Sequence, residues 1–559
     1  MKKKSVLTYL IKKVRRRIPM LLIMSTANVG SALFGVLFAL GTKNIINSAI
    51  EGNGKTFLNA CGVQAGIILG LLVCNTLYRY LHDKLAAELD RDWKRNLLHG
   101  LLQGDYTKVS AYQSGELINR LNNDVRTVND GLLQTLPGLL SMITRLGAVV
   151  AVLYALEPRF TLLLIMLGLA VIIITGLARQ KLKTLHKEVS AADGKVSGFL
   201  QEALEKLILV QAMGVQQETE RRADKLMSTR YTLQRKRRKV SLLHNTCVNA
   251  LSHLSRFAAL VWCAFLVLKG MLTIGDLTAI TQLVSQLQGP LVNLSGIFPK
   301  YIAMTAACER LMEIDMLYDQ QGKDSMCDPW LLYNKIQNLR AENLTFSYER
   351  EQECVLKDSS FTLPKGAFAV VTGHSGNGKS TLLKLMLGIF HPLDGRLYLE
   401  CEEGNVVLSQ STRPLFAYVP QGNLLFSGTL RENLILTKPD ATNKEIQQAV
   451  FVSCMDDYLE QLPDGLDTIL GENAHGLSEG QAQRLAIARA VLSGAPILLL
   501  DECTSALDAE TERHVLQRLK ALPYRTCIAV THRPAALELA DWKLDVNDGV
   551  IQAYAIEKV

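Results

Sequence analysis

No C-x-x-C pair occurs anywhere in the chain, although it carries eleven cysteines scattered from Cys61 to Cys527. That scatter excludes a disulfide framework and a zinc site of the usual spacing. Cys247, Cys263 and Cys308 stand in apolar or helical surroundings and read as small buried hydrophobes. Acids are missing from the first 17 residues, where Lys2, Lys3, Lys4, Lys12, Lys13, Arg15, Arg16 and Arg17 stand. Such an arm suits nucleic acid in some proteins. Here it abuts an apolar stretch from Ile18 to about Ile50. The basic run therefore reads as a cytoplasmic elbow that meets anionic lipid headgroups and orients the first helix, with no nucleic-acid partner. A cleaved signal peptide is excluded, because its apolar region runs only about 7–15 residues.

What is present divides unevenly along the 559 residues. Apolar runs dominate the first three-fifths, and the remainder reads as a soluble α/β protein. The length also points to more than one domain. A bilayer-spanning helix needs roughly 20 mostly apolar residues. Six stretches reach about that length: 18–50, 57–80, 132–156, 160–178, 243–268 and 277–306. The second continues as a polar helix in which Leu85, Leu89, Trp93, Asn96 and Leu97 recur at helical spacing. Two long polar stretches, 81–130 and 179–239, are rich in Lys and Arg, whereas 51–56, 157–159 and 269–276 are short. The positive-inside tendency makes the long stretches cytoplasmic, and six spans put both termini there as well. Arg145 and Arg256 fall deep inside the third and fifth spans, with no acid comparably deep. They imply a polar cavity for an anionic or zwitterionic cargo, or else snorkelling and pairing to helix carbonyls.

From Ile336 the pattern changes. The run 343–348 alternates like a strand, and Phe368–Thr372 is a second β-rich run. It leads into Gly373-His-Ser375-Gly376-Asn377-Gly378-Lys379-Ser380-Thr381 and an apolar helix. Strand, G-x-x-x-x-G-K-S loop and helix together form the context of a P-loop. Its glycines let backbone amides wrap phosphate oxygens, and the helix N-terminus adds a positive dipole end. Lys379 is expected on the β- and γ-phosphates of ATP and Ser380 on Mg²⁺. A second apolar strand, Ile-Leu-Leu-Leu, ends in Asp501 and Glu502. Ligands gather at the carboxyl ends of such strands. Asp501 is expected to hold Mg²⁺, and Glu502 to polarise the water that attacks the γ-phosphate.

Leu477-Ser478-Glu479-Gly480-Gln481, followed by Ala-Gln-Arg-Leu-Ala-Ile-Ala-Arg-Ala490, resembles the signature of the ABC transporters, with Glu479 where the family usually has Gly. The whole layout is similar to their exporter class. That resemblance implies a helical membrane domain of six transmembrane helices fused to an α/β P-loop ATPase domain. It implies further that Ser478, Gly480 and Gln481 bind the γ-phosphate held by a second subunit. Tyr348 looks like the aromatic that stacks on adenine. Gln421 resembles the Q-loop glutamine that meets Mg²⁺, Asp508 lies in what looks like the D-loop, and His532 resembles the switch histidine. Asp105–Asp124 and, less distinctively, 211–220 look like the two coupling regions, with Ser114, Gly115 and Glu116 breaking one helix and capping the next. Leu470-Gly471-Glu472 resembles a loop placed near them.

The resulting division is 1–17 elbow, 18–315 membrane domain, 316–335 linker and 336–559 ATPase domain. The expected partner is a second half-transporter, the same chain or a related one, and the expected cargo a small molecule, lipid or peptide. An ATP-gated channel or regulator on the same frame is the rival reading. A soluble ABC ATPase and an importer fit less well, because the apolar spans and ATPase domain are fused in exporter order. No peptidase domain precedes the first span, which disfavours leader cleavage, and the short outer loops disfavour a receptor-like outer domain. The expected location is a bacterial inner membrane with the ATPase domain in the cytoplasm.

Overall fold

The computed structural model describes residues 3–317, 328–348, 353–422, 425–471 and 476–556, without the side chains of 3–5, 172, 179, 288 and 290–298. The described residues cluster into two units. The first is helical and runs to 317, apart from Gly104–Ala111. Those eight residues cluster instead with the second unit, which holds everything described from 328 onward.

The first unit contains α1 (Lys3–Val14), α2 (Ile18–Ile50), α3 (Gly54–Gln103), α5 (Ser114–Asn119), α6 (Val125–Asp130), α7 (Leu136–Leu156), α8 (Pro158–Glu205), α9 (Leu207–Ala212), α10 (Gln216–Leu268) and α11 (Ile274–Leu317), while α4 (Tyr106–Ser110) lies in the reassigned stretch. Pro158 opens α8 after the extended Glu157, where its missing N–H has no intrahelical acceptor to lose, whereas Pro137 follows a helical stretch at 131–135 that runs straight into α7. Among the described residues five helices are long and apolar enough to cross a membrane. The sixth expected span falls in α11, a helix of 44 residues. In α3 the buried residues Leu81, Leu85, Leu89, Trp93 and Leu97 keep a spacing of one turn, while Asn96, expected on that stripe, is exposed.

The basic elbow is a docked helix. Val6, Leu10 and Val14 form its buried stripe and pack into a cluster with Trp93, Leu97 and Leu311. Lys13 pairs with Asp315 at 2.5 Å, and Arg17 with Glu88 at 2.8 Å and Asp92 at 3.3 Å. Those two cations are therefore neutralised within the protein, whereas Lys12, Arg15 and Arg16 are exposed. The helix break after α3 also differs from expectation. Asp105 caps α4 by accepting from Thr107 N at 2.9 Å. The chain turns at 111–113, and Ser114, Gly115 and Glu116 form the first turn of α5 without any side-chain cap. Ser114 does not cap because Gln113 holds the N-cap position of α5, which leaves the serine one residue too far into the helix. The second expected region is a sharp turn at 213–215 between α9 and α10, with Gly214 at φ +67°.

The second unit contains α12 (Pro329–Lys335), β1 (Ile336–Phe346), β2 (Leu356–Pro364), β3 (Phe368–Thr372), α13 (Lys379–Met386), β4 (Asp394–Cys401), β5 (Gly404–Val407), β6 (Phe416–Val419), β7 (Gly428–Thr429), α14 (Leu430–Ile435), α15 (Asn443–Val452), α16 (Asp456–Glu460), β8 (Ile469–Leu470), α17 (Glu479–Leu492), β9 (Ile497–Asp501), α18 (Ala509–Lys520), β10 (Thr526–Val530), α19 (Pro534–Leu539), β11 (Trp542–Asn547) and β12 (Val550–Ala555). Of the stretch read as a linker, 329–335 is thus helical and 318–327 lies outside the described residues, as does Glu472.

A six-stranded sheet runs β12-β11-β3-β10-β9-β6, parallel except at β12. A four-stranded antiparallel sheet runs β2-β1-β4-β5. Alternate residues of β9 serve two cores: Leu498 and Leu500 face the helical side with α17, while Ile497 and Leu499 face the antiparallel sheet. Burial on both faces explains the unbroken apolar run. It contributes roughly 2 kcal/mol for each large side chain removed from water.

Candidate nucleotide site

Strand register assembles the motifs. Val530 on β10 pairs with Val371 on β3 and with Asp501 on β9, and Val419 on β6 pairs with Leu500. The parallel strands therefore end together. Their ends release the loop from Gly373, then His532, then Asp501 and Glu502, then Gln421, along a single edge of the sheet.

The loop from Gly373 to Gly378 is shaped by backbone that side chains resist. Gly373 has φ +138°, and a Cβ there would meet Val546 O at 2.2 Å. Gly378, the N-cap of α13, has φ +91°, and its Cβ would meet Val355 Cγ1 at 2.8 Å. Ser375 and Gly376 form the exposed crest, and Asn377 Nδ2 anchors the loop by donating to Val546 O at 3.2 Å. Lys379 is buried and donates to Gly373 O at 2.7 Å and His374 O at 2.9 Å. A cationic side chain thus spans the inside of the loop, the arrangement of a phosphate cradle.

Ser380 Oγ donates to Asp501 Oδ1 at 3.0 Å, and Tyr418 OH donates to Asp501 Oδ2 at 3.1 Å. Burial pushes the Asp501 carboxyl above the usual carboxylate range, while those two hydrogen bonds pull it back and the Glu502 charge adds to the rise. Burial and the Asp501 charge raise the Tyr418 phenol, keeping it protonated and donating. A hydroxyl and a carboxylate at 3.0 Å, beside a phosphate-shaped loop, suit a magnesium ion that takes its remaining oxygens from phosphate and water. Among the described residues no group of three or more His, Cys, Asp or Glu is placed to hold a metal ion.

Glu502 follows β9 at φ +49°, a left-handed backbone uncommon outside glycine. Its amide donates to Val530 O at 3.0 Å, and its Oε2 accepts from Gln421 Nε2 at 2.6 Å. His532 is exposed at the end of β10. Tyr348 is half-buried; its hydroxyl shares a 2.8 Å bond with that of Thr381, and its ring meets Phe346 and Phe390 edge-on at 5.1 and 5.4 Å. Phe390 also meets Tyr106 of α4, at 6.0 Å. The stretch that resembles the first coupling region is thereby one aromatic ring from Tyr348.

Ser478, Gly480 and Gln481 form a separate place. Ser478 Oγ accepts from Gln481 N at 3.2 Å, and Gln481 Oε1 accepts from Ser478 N at 2.8 Å, a reciprocal cap on α17. Glu479 is exposed in the first turn. Gly480 lies against the stretch at 505–507, since a Cβ there would stand 3.0 Å from Ala506 O. Gln483 fixes the same stretch by donating to Ser505 Oγ and accepting from Ala506 N, each at 3.0 Å. Asp508 caps α18 by accepting from Thr511 N at 2.9 Å. Among the described residues no hydrogen bond joins Ser478, Gly480 or Gln481 to the loop at 373–379.

Tyr418, Thr372, Asp545 and Arg533 were missed by motif reading. Tyr418 is a polar side chain on an otherwise apolar strand, which was a legible signal. Thr372 Oγ1 donates to Asp545 Oδ1 at 2.5 Å at the root of the loop. Arg533 clamps the 505–507 stretch by donating to Leu507 O at 2.7 Å and to Ser505 O, and reaches the buried Glu512 at 3.3 Å.

Profiles of two families match the chain: "ABC transporter transmembrane region" over residues 21–291 and "ABC transporter" over 356–505. Two Staphylococcus aureus proteins, from strains NCTC 8325 and COL, each named as a multidrug export ATP-binding/permease protein, are 28% identical over 542 residues, covering 95% of this chain and 93% of theirs. The structure of a bacterial Atm1-family ABC exporter with ATP bound shares the fold, with a TM-score of 0.77 at 22% identity, over 97% of this chain and 95% of that one.

Proposed function

The chain belongs to the ABC transporters, a multi-pass membrane protein with its own ATP-hydrolysing domain, and from that premise we propose that it is one half of an exporter that moves an amphiphilic cargo as a dimer. ATP hydrolysis drives the transport. The S. aureus relatives carry multidrug export in their names, and a drug-like, lipid or peptide cargo is the corresponding proposal here.

The observation that carries the reading is the split between two places on one ATPase domain. One sheet edge gathers Lys379, Ser380, Asp501, Glu502, Gln421 and His532. Ser478 and Gly480 stand at another helix start, bound to the stretch at 505–507. A second copy, or a related chain, supplies its signature to the nucleotide held by the first. The Ser478 hydroxyl accepts from Gln481 N and so keeps its own proton to donate to a phosphate oxygen.

Each residue then has a role. The amides of 373–381 cradle the phosphates, with Lys379 on the β- and γ-phosphates and Tyr348 on the adenine. Ser380, Asp501 and Gln421 would hold Mg²⁺, which would supply charge to offset that on the transferred phosphoryl group. Glu502 accepts the proton of the attacking water, oriented by its bond to Gln421. His532 contacts the γ-phosphate, and Asp508 and its neighbours meet the partner domain. Coupling passes through α4 and through the turn at 213–215. The work available equals the difference in nucleotide affinity between two arrangements of the helices.

The test is ATP-dependent uphill flux in proteoliposomes holding the chain with its natural mate. Flux that stops in Lys379→Ala supports the pump. Downhill flux merely opened by ATP would assign a gated channel instead.

A further inference from the structure

Two arginines in the membrane unit have no acid beside them. Arg145 lies on α7 one turn from Ser141 and one turn from Val149, both buried. Arg256 lies on α10 one turn from the buried Ser252 and Ala259. Val149 and Ala259 meet in one cluster with Ile280 and Leu283 of α11. At 1.5 Å per residue, Arg145 is about 16 Å short of the α7 end at Leu156, and Arg256 about 18 Å short of the α10 end at Leu268. Both helices end in the short connections opposite the long polar extensions. The hydrocarbon layer is about 30 Å thick, so the two guanidinium groups occupy one level near its middle.

A third polar group shares that level. Gln286 lies about 18 Å into α11. Its Nε2 donates to Gly35 O at 2.8 Å, while its Oε1 is buried without a partner. Arg256 Nη2 stands 3.0 Å from His253 Nδ1, a neighbour that supplies no negative charge. Among the described residues no hydrogen bond or ion pair engages Arg145. The six spans contain no acid, and Asp276 at the mouth of α11 is taken by Lys43 at 2.7 Å and by Thr273. Ser255, the neighbour of Arg256 in the chain, and Ser252 line a small cleft of about 40 Å³ between α8, α10 and α11, together with Leu164, Val171, Leu251 and Leu287. Both serine hydroxyls donate to helix carbonyls, at 2.9 Å, so the cleft itself is apolar and without donors.

A cation inside hydrocarbon is costly until a negative charge meets it. A guanidinium fork matches carboxylate and phosphate oxygens. We infer that the cargo is an amphiphile with an anionic headgroup, carboxylate or phosphate, received at the level of Arg145 and Arg256 with its apolar chain against exposed apolar side chains of the same helices, Ile143, Phe257 and Leu260 among them. This rests on the exporter reading for the word cargo, whereas the binding itself does not require ATP.

The test is equilibrium binding to the purified full chain in uncharged detergent, read by fluorescence polarisation. The probes are a fluorescent long-chain carboxylic acid, the alkyl phosphate of the same chain and the uncharged amide. The acid and the phosphate are expected to bind at least about tenfold more tightly than the amide, the difference one charge-assisted hydrogen bond supplies. Whichever of the two binds better names the source, fatty acid or phospholipid. The preference should vanish in the R145Q/R256Q pair, fall in each single Gln variant, and return in part in R145K and R256K. Equal affinity of acid and amide for the wild-type chain would overturn the inference. So would a preference that persists in both single Gln variants, a result available even if the double variant fails to fold. Binding preference without ATP-driven flux would remove the exporter reading alone.

Discussion

Gln421 donates through Nε2 to Oε2 of Glu502 over 2.6 Å, joining the end of β6 to the end of β9. One carboxylate oxygen is thereby fixed, and the other is left to accept from water. The Glu502 backbone at φ +49° turns the side chain away from the strand direction into that position.

Glu502→Gln preserves this joint, because the oxygen of the new amide accepts from Gln421 Nε2 as the carboxylate does. Only the basicity is lost. ATP hydrolysis should fall by about 10²–10⁴-fold, the usual contribution of a positioned base. Nucleotide binding should persist. Phosphate release and equilibrium ATP binding measure the two separately, and near-normal turnover would remove Glu502 from the role.

Glu479→Gly should raise ATP affinity. The Glu479 carboxylate stands in the first turn of α17, where the helix dipole favours an anion. In the proposed dimer that is also where the partner's phosphate arrives, so the carboxylate competes with it. Exposure and salt limit the effect to about 1 kcal/mol or less. The expected result is an apparent KM for ATP lowered by several-fold, more at low salt. An unchanged KM would separate Glu479 from the nucleotide.

Asp545 carries a pH dependence. The hydrogen bond from Thr372 first, then Lys543 and Asn547, hold its carboxyl below the usual carboxylate range against the opposing pull of burial. A depressed folded value stabilises the domain above the unfolded pKa of about 4, and that stability is lost as pH falls through the folded value. Asp545→Asn should therefore lower stability near neutral pH, and Tm with it, by about 1 kcal/mol or less, since solvent screens much of the bond. The gap from wild type should close below about pH 4. Thermal melts across that range measure it; a gap that widens in acid would reverse the assignment.

Arg310 should matter more than Arg120. Arg310 holds the buried Asp124 with two bonds, at 2.7 and 2.6 Å. Arg120 holds Glu116 and Glu313, whose side chains are 46% and 50% exposed and rehydrate when released. Arg310→Met leaves a buried carboxylate unpaired and is expected to cost about 3–5 kcal/mol. Arg120→Met should cost less, and Asp124→Asn should recover part of the Arg310→Met loss. Melting temperatures in detergent rank the variants.

How much of this was legible beforehand depends on the range of the interaction. The spans 18–50, 57–80 and 243–268 were readable because apolar length is a local property, and α2, α3 and α10 contain them. The loop at 373–381 was readable because one strand-loop-helix segment supplies its glycines and lysine together. Tyr418 was passed over since its partner, Asp501, lies 83 residues away in sequence. The break expected at Ser114–Glu116 falls instead at 111–113, because only the fold decides where the chain turns, and Ser114 thereby becomes the first helical residue of α5 rather than its cap.

The sequence by itself determined that a membrane-embedded helical half precedes a P-loop ATPase half, and which residue types stand at each motif, since periodicity and short spacing act within a few residues. Only the tertiary structure decided that the ends of β3, β10, β9 and β6 align, and that the elbow's Lys13 and Arg17 are spent on Asp315 and Glu88. It also put Arg145 and Arg256 one turn from the same buried cluster. Strand register and helix packing join residues far apart in the chain, and their energies depend on which surfaces meet.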